Sequence, residues 1–281
     1  MEMPPLTHLR AFAVSNGIVL TSSAPSLLLL LLARPSFTST YASTLARMAI
    51  VVFALSRFAK ARQRAALPID VLRMCLVAAP IETAASVWAL RRYCAARATD
   101  AVSWSRFVPL LLGFELVFDF FHYAAHRIMH AHPQLYVWSG HKAHHANASP
   151  VPLDTYCQHP VDVVLSNALP MAAALHVLEA VGGWHFSPAQ LHVLLGYKTF
   201  TEVAGHVGDN AGRATCFPLC VYLPRALHIE LRTRDHDWHH SSGGRANFSK
   251  RFTLWDKLFG TFEDHVVAVD KDVSPPPPPP Q

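Results

Sequence analysis

Histidine is the residue type whose number and spacing point to chemistry. The chain has 18 in 281 residues, and only His8 precedes His122. Nine form three short runs. The first is His122-Tyr-Ala-Ala-His126-Arg-Ile-Met-His130, the second His141-Lys-Ala-His144-His145, and the third His236-Asp-Trp-His239-His240. On a helix, residues three and four apart share a face. His126 and His130 therefore point together, as do His141, His144 and His145, and likewise His236, His239 and His240. His122 continues the first stripe one turn earlier. Each run is expected to converge on one point, as a metal site requires. Eight imidazoles (His126, His130, His141, His144, His145, His236, His239 and His240) exceed the roughly four ligands of one zinc ion. They suit two ions of higher coordination number with open positions. Imidazole serves Fe, Zn, Cu and Ni alike, so ligand type does not choose the metal. Open positions on a redox metal beside a membrane point to oxygen chemistry on a lipid.

Ligating histidines usually donate their second ring N–H to a carboxylate or carbonyl. Asp119, Glu202, Asp235 and Asp237 are placed for that role. Glu202 lies four residues before His206, within an apolar segment where an unpaired carboxylate is costly. His132 precedes Pro133, off the helical stripe, and reads as a surface residue. His176, His185, His192, His228 and His265 have no clustered partner and read as hydrogen-bonded or surface side chains. Cys216 and Cys220 read as buried thiols rather than ligands. Asn247, Lys250 and Arg251 follow the last run and are expected to shape the loop behind the site, the two cations on a solvated face.

The elements that must hold these residues are apolar. The chain is 51% hydrophobic and 15% charged, against about 25% charged in soluble domains. This excludes a disordered chain, and 12 glycines exclude a collagen-like one. Five cysteines in so long a chain are not a disulfide framework. A net charge of +5 favours an anionic membrane surface over nucleic acid as partner. Gly17 to Ala33, with Ala11 to Asn16, reaches the roughly 20 residues of a spanning helix. Further apolar segments are Met48–Leu55, Met74–Leu90, Phe107–Phe121, Val163–Val181 and Ala189–Ala204. If the last two form a membrane hairpin, the chain returns to one face and the three histidine runs can meet. Arg57–Arg64 and Arg91–Arg97 are both basic, although one pass between them puts them on opposite sides. Met1 to Arg10 lacks the compact apolar core of a cleaved signal peptide. Ser274–Pro280 reads as a solvated polyproline tail.

The residues resemble the fatty acid hydroxylase superfamily, which includes sterol desaturases and C4-methyl sterol oxidases. The pattern HRxxH, HxxHH, a single His and HxxHH reads here as His126–His130, His141–His145, His206 and His236–His240. Leu135-Tyr136 before the second box, His159-Pro160 after it and Trp255–Thr261 near the end extend the likeness over roughly 103–264. His159 gains a place behind the ligands from that context. Asp162 stands where the family often has Glu after the His-Pro pair. The chain shows Val207-Gly208 after His206, where sterol oxidases usually have Ser-Gly.

The resemblance implies an all-α, integral-membrane helical bundle with a His-rich dimetal catalytic cap on the cytosolic side. It implies membrane helices and linkers over 1–102, a catalytic domain over 103–265 and a disordered Pro-rich tail over 266–281. It implies two Fe ions held by the nine histidines His126, His130, His141, His144, His145, His206, His236, His239 and His240, with His122 as a further candidate. Zinc can replace iron in isolated protein. Electrons would come from NAD(P)H through an external donor, cytochrome b5 and its reductase. The substrate would be a sterol or fatty acyl lipid, the reaction a hydroxylation or oxidation using O2, and the site of action the endoplasmic reticulum. Desaturation is the alternative within the superfamily. Outside it stand a metal transporter or storage protein and a regulator without activity. Ordered histidine triplets beside apolar segments favour a fixed catalytic site over transport.

Overall fold

The computed structural model describes residues 5–32, 36–59, 68–94, 103–207 and 222–264. The charge-poor segments form long helices, as their length and composition demand. α1 is Pro5–Leu32 and α2 is Phe37–Ser56. A reciprocal Ser36–Ser39 capping box starts α2 by satisfying its first free N–H groups. α3 runs without interruption over Pro68–Cys94, and α4 over Phe107–Ala131. Pro133 ends α4 by forcing His132 into an extended conformation. Two short helices follow, α5 at Pro133–Trp138 and α6 at His141–His144. α7 spans Pro160–Gly182 and α8 Pro188–Ala204. α9 (Tyr222–Ala226), α10 (Thr233–Ser241) and α11 (Leu254–Leu258) complete the order. Among the described residues there is no strand, only a bridge between Glu230 and Phe252.

Prolines shape two of the long helices. A π-turn at Met74–Ala78 ends two residues before Pro80, and another at Val164–Ala168 ends two residues before Pro170. Proline lacks an N–H and crowds the carbonyl four residues back; one wide turn ahead of it relieves both problems without ending the helix.

The bundle alternates in direction. The start of α3 meets the Pro152–Tyr156 turn beside the histidine runs, and the end of α3 meets Phe186 through Cys94 Sγ. α4 returns from that far end and carries His122, His126 and His130 on its second half. α7 leaves from Asp162 beside His141, and α8 returns to His206. The α7–α8 hairpin thus brings the chain back to the end it left, as the spacing of the runs requires.

Among the described residues, five helices are long and apolar enough to cross a membrane: Arg10–Leu31, Phe37–Ser56, Pro68–Cys94, Trp104–Ala131 and Pro160–Gly182. Leu31, Phe53, Leu76, Leu169 and Val181 point outward on them. A complete Pro68–Cys94 helix places Arg57 and Arg91 at opposite ends. Basic residues therefore flank both ends, and charge does not orient the bundle. The second limb of the hairpin differs from the sequence expectation. α8 has 17 residues, and every side chain from Gln190 to Ala204 is buried. It packs on α1 and α2 as a central strut rather than as a lipid-facing span. The domain limits at 102 and 265 and the tail 266–281 fall at or outside the ends of described segments. Cys216, Cys220 and His265 also lie outside the described residues.

Candidate metal centre

All nine histidines of the four motifs meet at one end of the bundle, and they sort into two groups. His126, His130, His141, His145 and His239 form one group. His144, His206, His236 and His240 form the other. Within each group the ring nitrogens offered lie within 4.8 Å of one another. The groups abut, with the His145 and His240 rings stacked at 4.4 Å.

This division corrects the expectation that each run converges on one point. In the second box, His141 and His145 enter the five-histidine group, while His144 enters the other. In the third box, His239 enters the five-histidine group, while His236 and His240 enter the other. Successive residues on a helix diverge by about 100°, whereas i and i+4 nearly eclipse. Each HxxHH box therefore spreads its rings across two neighbouring centres. His122 joins neither group. Its Nδ1 bonds the Ser166 carbonyl at 2.8 Å and its ring lies 5.2 Å from that of His126.

The first group fits a cation closely. His130 Nε2 lies 3.2 Å from His141 Nε2 and 3.2 Å from His145 Nε2, and His145 Nε2 lies 3.2 Å from His239 Nε2. The far nitrogens of three rings are committed elsewhere. His141 Nδ1 donates to Asp162 Oδ1 at 3.0 Å, His239 Nδ1 to the Ala246 carbonyl at 2.6 Å and His126 Nδ1 to the Phe248 carbonyl at 2.8 Å. A neutral imidazole has one N–H, so Nε2 of His141, His239 and His126 keeps its lone pair for a ligand. His126 Nε2 is buried with no hydrogen-bond partner. Five ring nitrogens this close, three of them with a free lone pair, are a donor set that suits a cation. In the second group, His206 Nδ1 lies 3.0 Å from both Thr155 Oγ1 and the Glu202 carbonyl, leaving a buried, unpartnered Nε2.

Two glycines make room for the rings. Gly244 has φ +72°, and a Cβ there would overlap the His130 ring. Gly140, φ +77°, starts α6 against His159, where a Cβ would overlap that side chain. His159 is exposed and accepts the Val161 N–H at the start of α7, so it stands outside the cluster.

The carboxylates of Asp119, Glu202 and Asp235 bind groups other than the histidine rings. Asp119 accepts the main-chain N–H groups of Lys250, Arg251 and Phe252 at 2.7–3.0 Å. Glu202 accepts from Arg251 Nη2 at 2.6 Å. Asp235 caps α10 by accepting the Arg232 N–H at 2.8 Å, and Asp237 is buried in the same helix. Asp162 does contact a ring of the cluster, and carbonyls serve three others. Its place after His159-Pro160 was the available signal. Main-chain carbonyls leave no signature in side-chain identity.

Lys250 and Arg251 were expected on a solvated face and are buried instead. Arg251 bridges Glu115 of α4 and Glu202 of α8, each at 2.6 Å, with its guanidinium 4.4 Å over the Phe118 ring. Burial opposes its charge, but Glu202 and Glu115 more than offset it and hold its pKa above the ordinary value. Lys198 pairs with Glu82 at 2.7 Å, and Arg47 donates to Thr199 at 3.1 Å. These bonds tie the last loop, α4, α8, α3 and α2 together behind the histidines. His132, His176 and His228 are exposed, whereas His192 is buried on α8.

Burial also sets the charge of the rings. It pushes His144, His206, His236 and His240 well below the usual imidazole range, reinforced by neighbouring imidazoles and, for the first three, by Lys250. His239 is lowered to about 3, chiefly by burial. Neutral rings are the form that ligates metal.

The family model for fatty acid hydroxylase matches residues 111–261. The chain is 32% identical over 172 residues to the fatty acid hydroxylase vlmA of a Lecanicillium species, covering 58% of this chain and 44% of that protein. It is 28% identical over 152 residues to the C-4 methylsterol oxidase erg25 of Schizosaccharomyces pombe, covering 52% and 45%. Against methylsterol monooxygenase 1 of Rattus norvegicus the identity is 24% over 159 residues, covering 56% and 48%. The matched segment spans about half the length of these relatives. No solved structure matches.

Proposed function

The chain belongs to the fatty acid hydroxylase family, and from that premise we propose that it is a membrane-bound oxidoreductase that hydroxylates or oxidises a lipid at a two-iron centre. The observation that carries this reading is the chain of Nε2 atoms 3.2 Å apart in the five-histidine group, beside a second group of four. The proposed ligands are His126, His130, His141, His145 and His239 for one iron, and His144, His206, His236 and His240 for the other. Bound iron would supply the activation of O2 needed to attack an unactivated C–H bond.

The chain's own residues do the rest. Asp162 and the carbonyls of Ala246 and Phe248 fix which nitrogen of His141, His239 and His126 faces inward. Arg251, Glu115 and Glu202 seal the floor of the site with paired charges, which shields it from bulk water. A mostly apolar groove lies between α3, α4 and α7, lined by Tyr93, Phe121, Ala125, Ile128 and Leu169, with Arg92 and His176 also on its walls. It follows the helix that carries His126 and His130, and it suits a sterol or acyl chain entering from the bilayer. The relatives named for fatty acid and C-4 methylsterol oxidation support both substrate classes. On this reading electrons come from NAD(P)H through cytochrome b5 and its reductase, and the protein works in the endoplasmic reticulum with its histidine end toward the cytosol. Zinc in place of iron would leave the ligand set filled and the enzyme inactive.

The test is lipid profiling of iron-replete cells producing the wild type or His145→Ala. A lipid that gains one oxygen only with the wild type supports the proposal. A lipid that instead loses two hydrogens turns it toward desaturation. Identical lipid profiles, with no iron in the purified wild type, would overturn it.

A further inference from the structure

The two histidine groups do not have the same electrostatic surroundings. Lys250 is almost fully buried, and its Nζ lies 2.8 Å from His236 Nε2 in the four-histidine group. Its chain is anchored from behind, because its main-chain N–H donates to Asp119 at 2.7 Å. Gly205 packs against the same place. A Cβ at Gly205 would stand 3.1 Å from Lys250 Nζ and 3.0 Å from His236 Cδ2. The lysine tip therefore fills a close-fitting notch between the end of α8 and α10. In the five-histidine group the outer nitrogens of His126, His141 and His239 instead donate to a carboxylate and two main-chain carbonyls.

The hydrogen bond and ligation compete. An ammonium has three donors and no acceptor. When Lys250 donates to His236 Nε2, the one ring proton of neutral His236 must be on Nδ1, and neither nitrogen has a lone pair left for a metal. A divalent ion in the four-histidine group must also bear a fixed positive charge at close range, in a buried site where repulsion is poorly screened.

We propose that Lys250 is a gate on the four-histidine group, so that the two metal positions fill unequally. The five-histidine group binds its ion first and tightly. The four-histidine group binds its ion only as Lys250 releases His236, and so binds it more weakly and exchangeably. Glu202, paired with Arg251 next along the chain, supplies opposite charge on that side of the site. This inference rests on the two-centre reading of the histidines and makes Lys250 a positioning residue for the second ion.

The experiment is a cobalt(II) titration of full-length, detergent-purified, metal-stripped protein. It is followed by visible absorbance and by metal content after dialysis against graded chelator. Wild type should take one ion tightly and a second at least tenfold more weakly. Lys250→Met, similar in length but uncharged, should tighten the second step at least tenfold and leave the first unchanged. Lys250→Arg, which keeps the charge, should leave the second step weak. The unchanged first step shows that each variant is folded. Two equal steps in the wild type would overturn the gate, as would a second step unmoved or weakened in Lys250→Met. Absence of any tight first step would overturn the two-centre reading itself.

Discussion

At the scale of single residues, what matters is which nitrogen each ring turns inward. His141 is set by Asp162, a buried carboxylate at 3.0 Å. Asp162→Ala is expected to weaken metal retention by about 10–100-fold, the usual effect of losing such an outer partner. Metal content after dialysis against graded chelator checks it, and unchanged retention would mean that packing alone orients His141. The rings also confer a pH dependence. His144, His206, His236, His239 and His240 are held below the unfolded value by burial, His239 at about 3. The unfolded chain takes up protons below about pH 6.5, where the folded chain does not. Metal-free stability is therefore full above about pH 6.5 and is lost as pH falls toward 3. Thermal melts of chelator-treated protein between pH 8 and pH 5 should show a falling midpoint, and a level one would contradict buried neutral imidazoles.

At the scale of elements, short pieces of backbone place the rings, and long helices hold those pieces. Gly244 gives the loop after α10 a positive φ and lies against the His130 ring. Gly244→Ala adds backbone strain and an overlap with that ring. It should empty the five-histidine group while leaving the four-histidine group able to bind, which metal counting resolves. Arg251 is the bond between the last loop and the helices. Arg251→Met leaves Glu115 and Glu202 buried without their cation, and breaking such a pair costs about 3–5 kcal/mol. A large drop in melting temperature is expected, and a change of a degree or less would show that the carboxylates find other partners. The central helix was the element hardest to foresee. Its apolar composition matches a membrane span, but 17 residues wrapped by α1 and α2 make it a strut. Whether an apolar helix faces lipid or protein depends on its neighbours, which periodicity does not reveal.

At the scale of the whole molecule, the membrane bundle and the gathering of the histidines were legible in the chain. Charge-poor runs of spanning length and HxxHH spacing are local properties, and local properties survive folding. The hairpin that returns His206 to the cluster followed from the order of apolar segments. The sharing of each HxxHH box between two centres was not legible, because helical spacing says which rings are near and not which cation each ring approaches. The burial of Lys250 and Arg251 was hidden for a related reason: a basic pair in a polar loop reads as solvated until its partners are seen to converge, His236 on Lys250 and, from helices 136 and 49 residues away, Glu115 and Glu202 on Arg251. The central claim is that nine histidines form two metal positions, five rings to one and four to the other. Elemental mass spectrometry at saturating iron, on wild type, His239→Ala and His206→Ala, tests it most directly. The account predicts about two irons per chain in the wild type and about one in each variant. The two remaining irons should differ in their spectroscopic signature, because each variant empties a different group. A single iron in the wild type, or loss of both in either variant, would contradict the division.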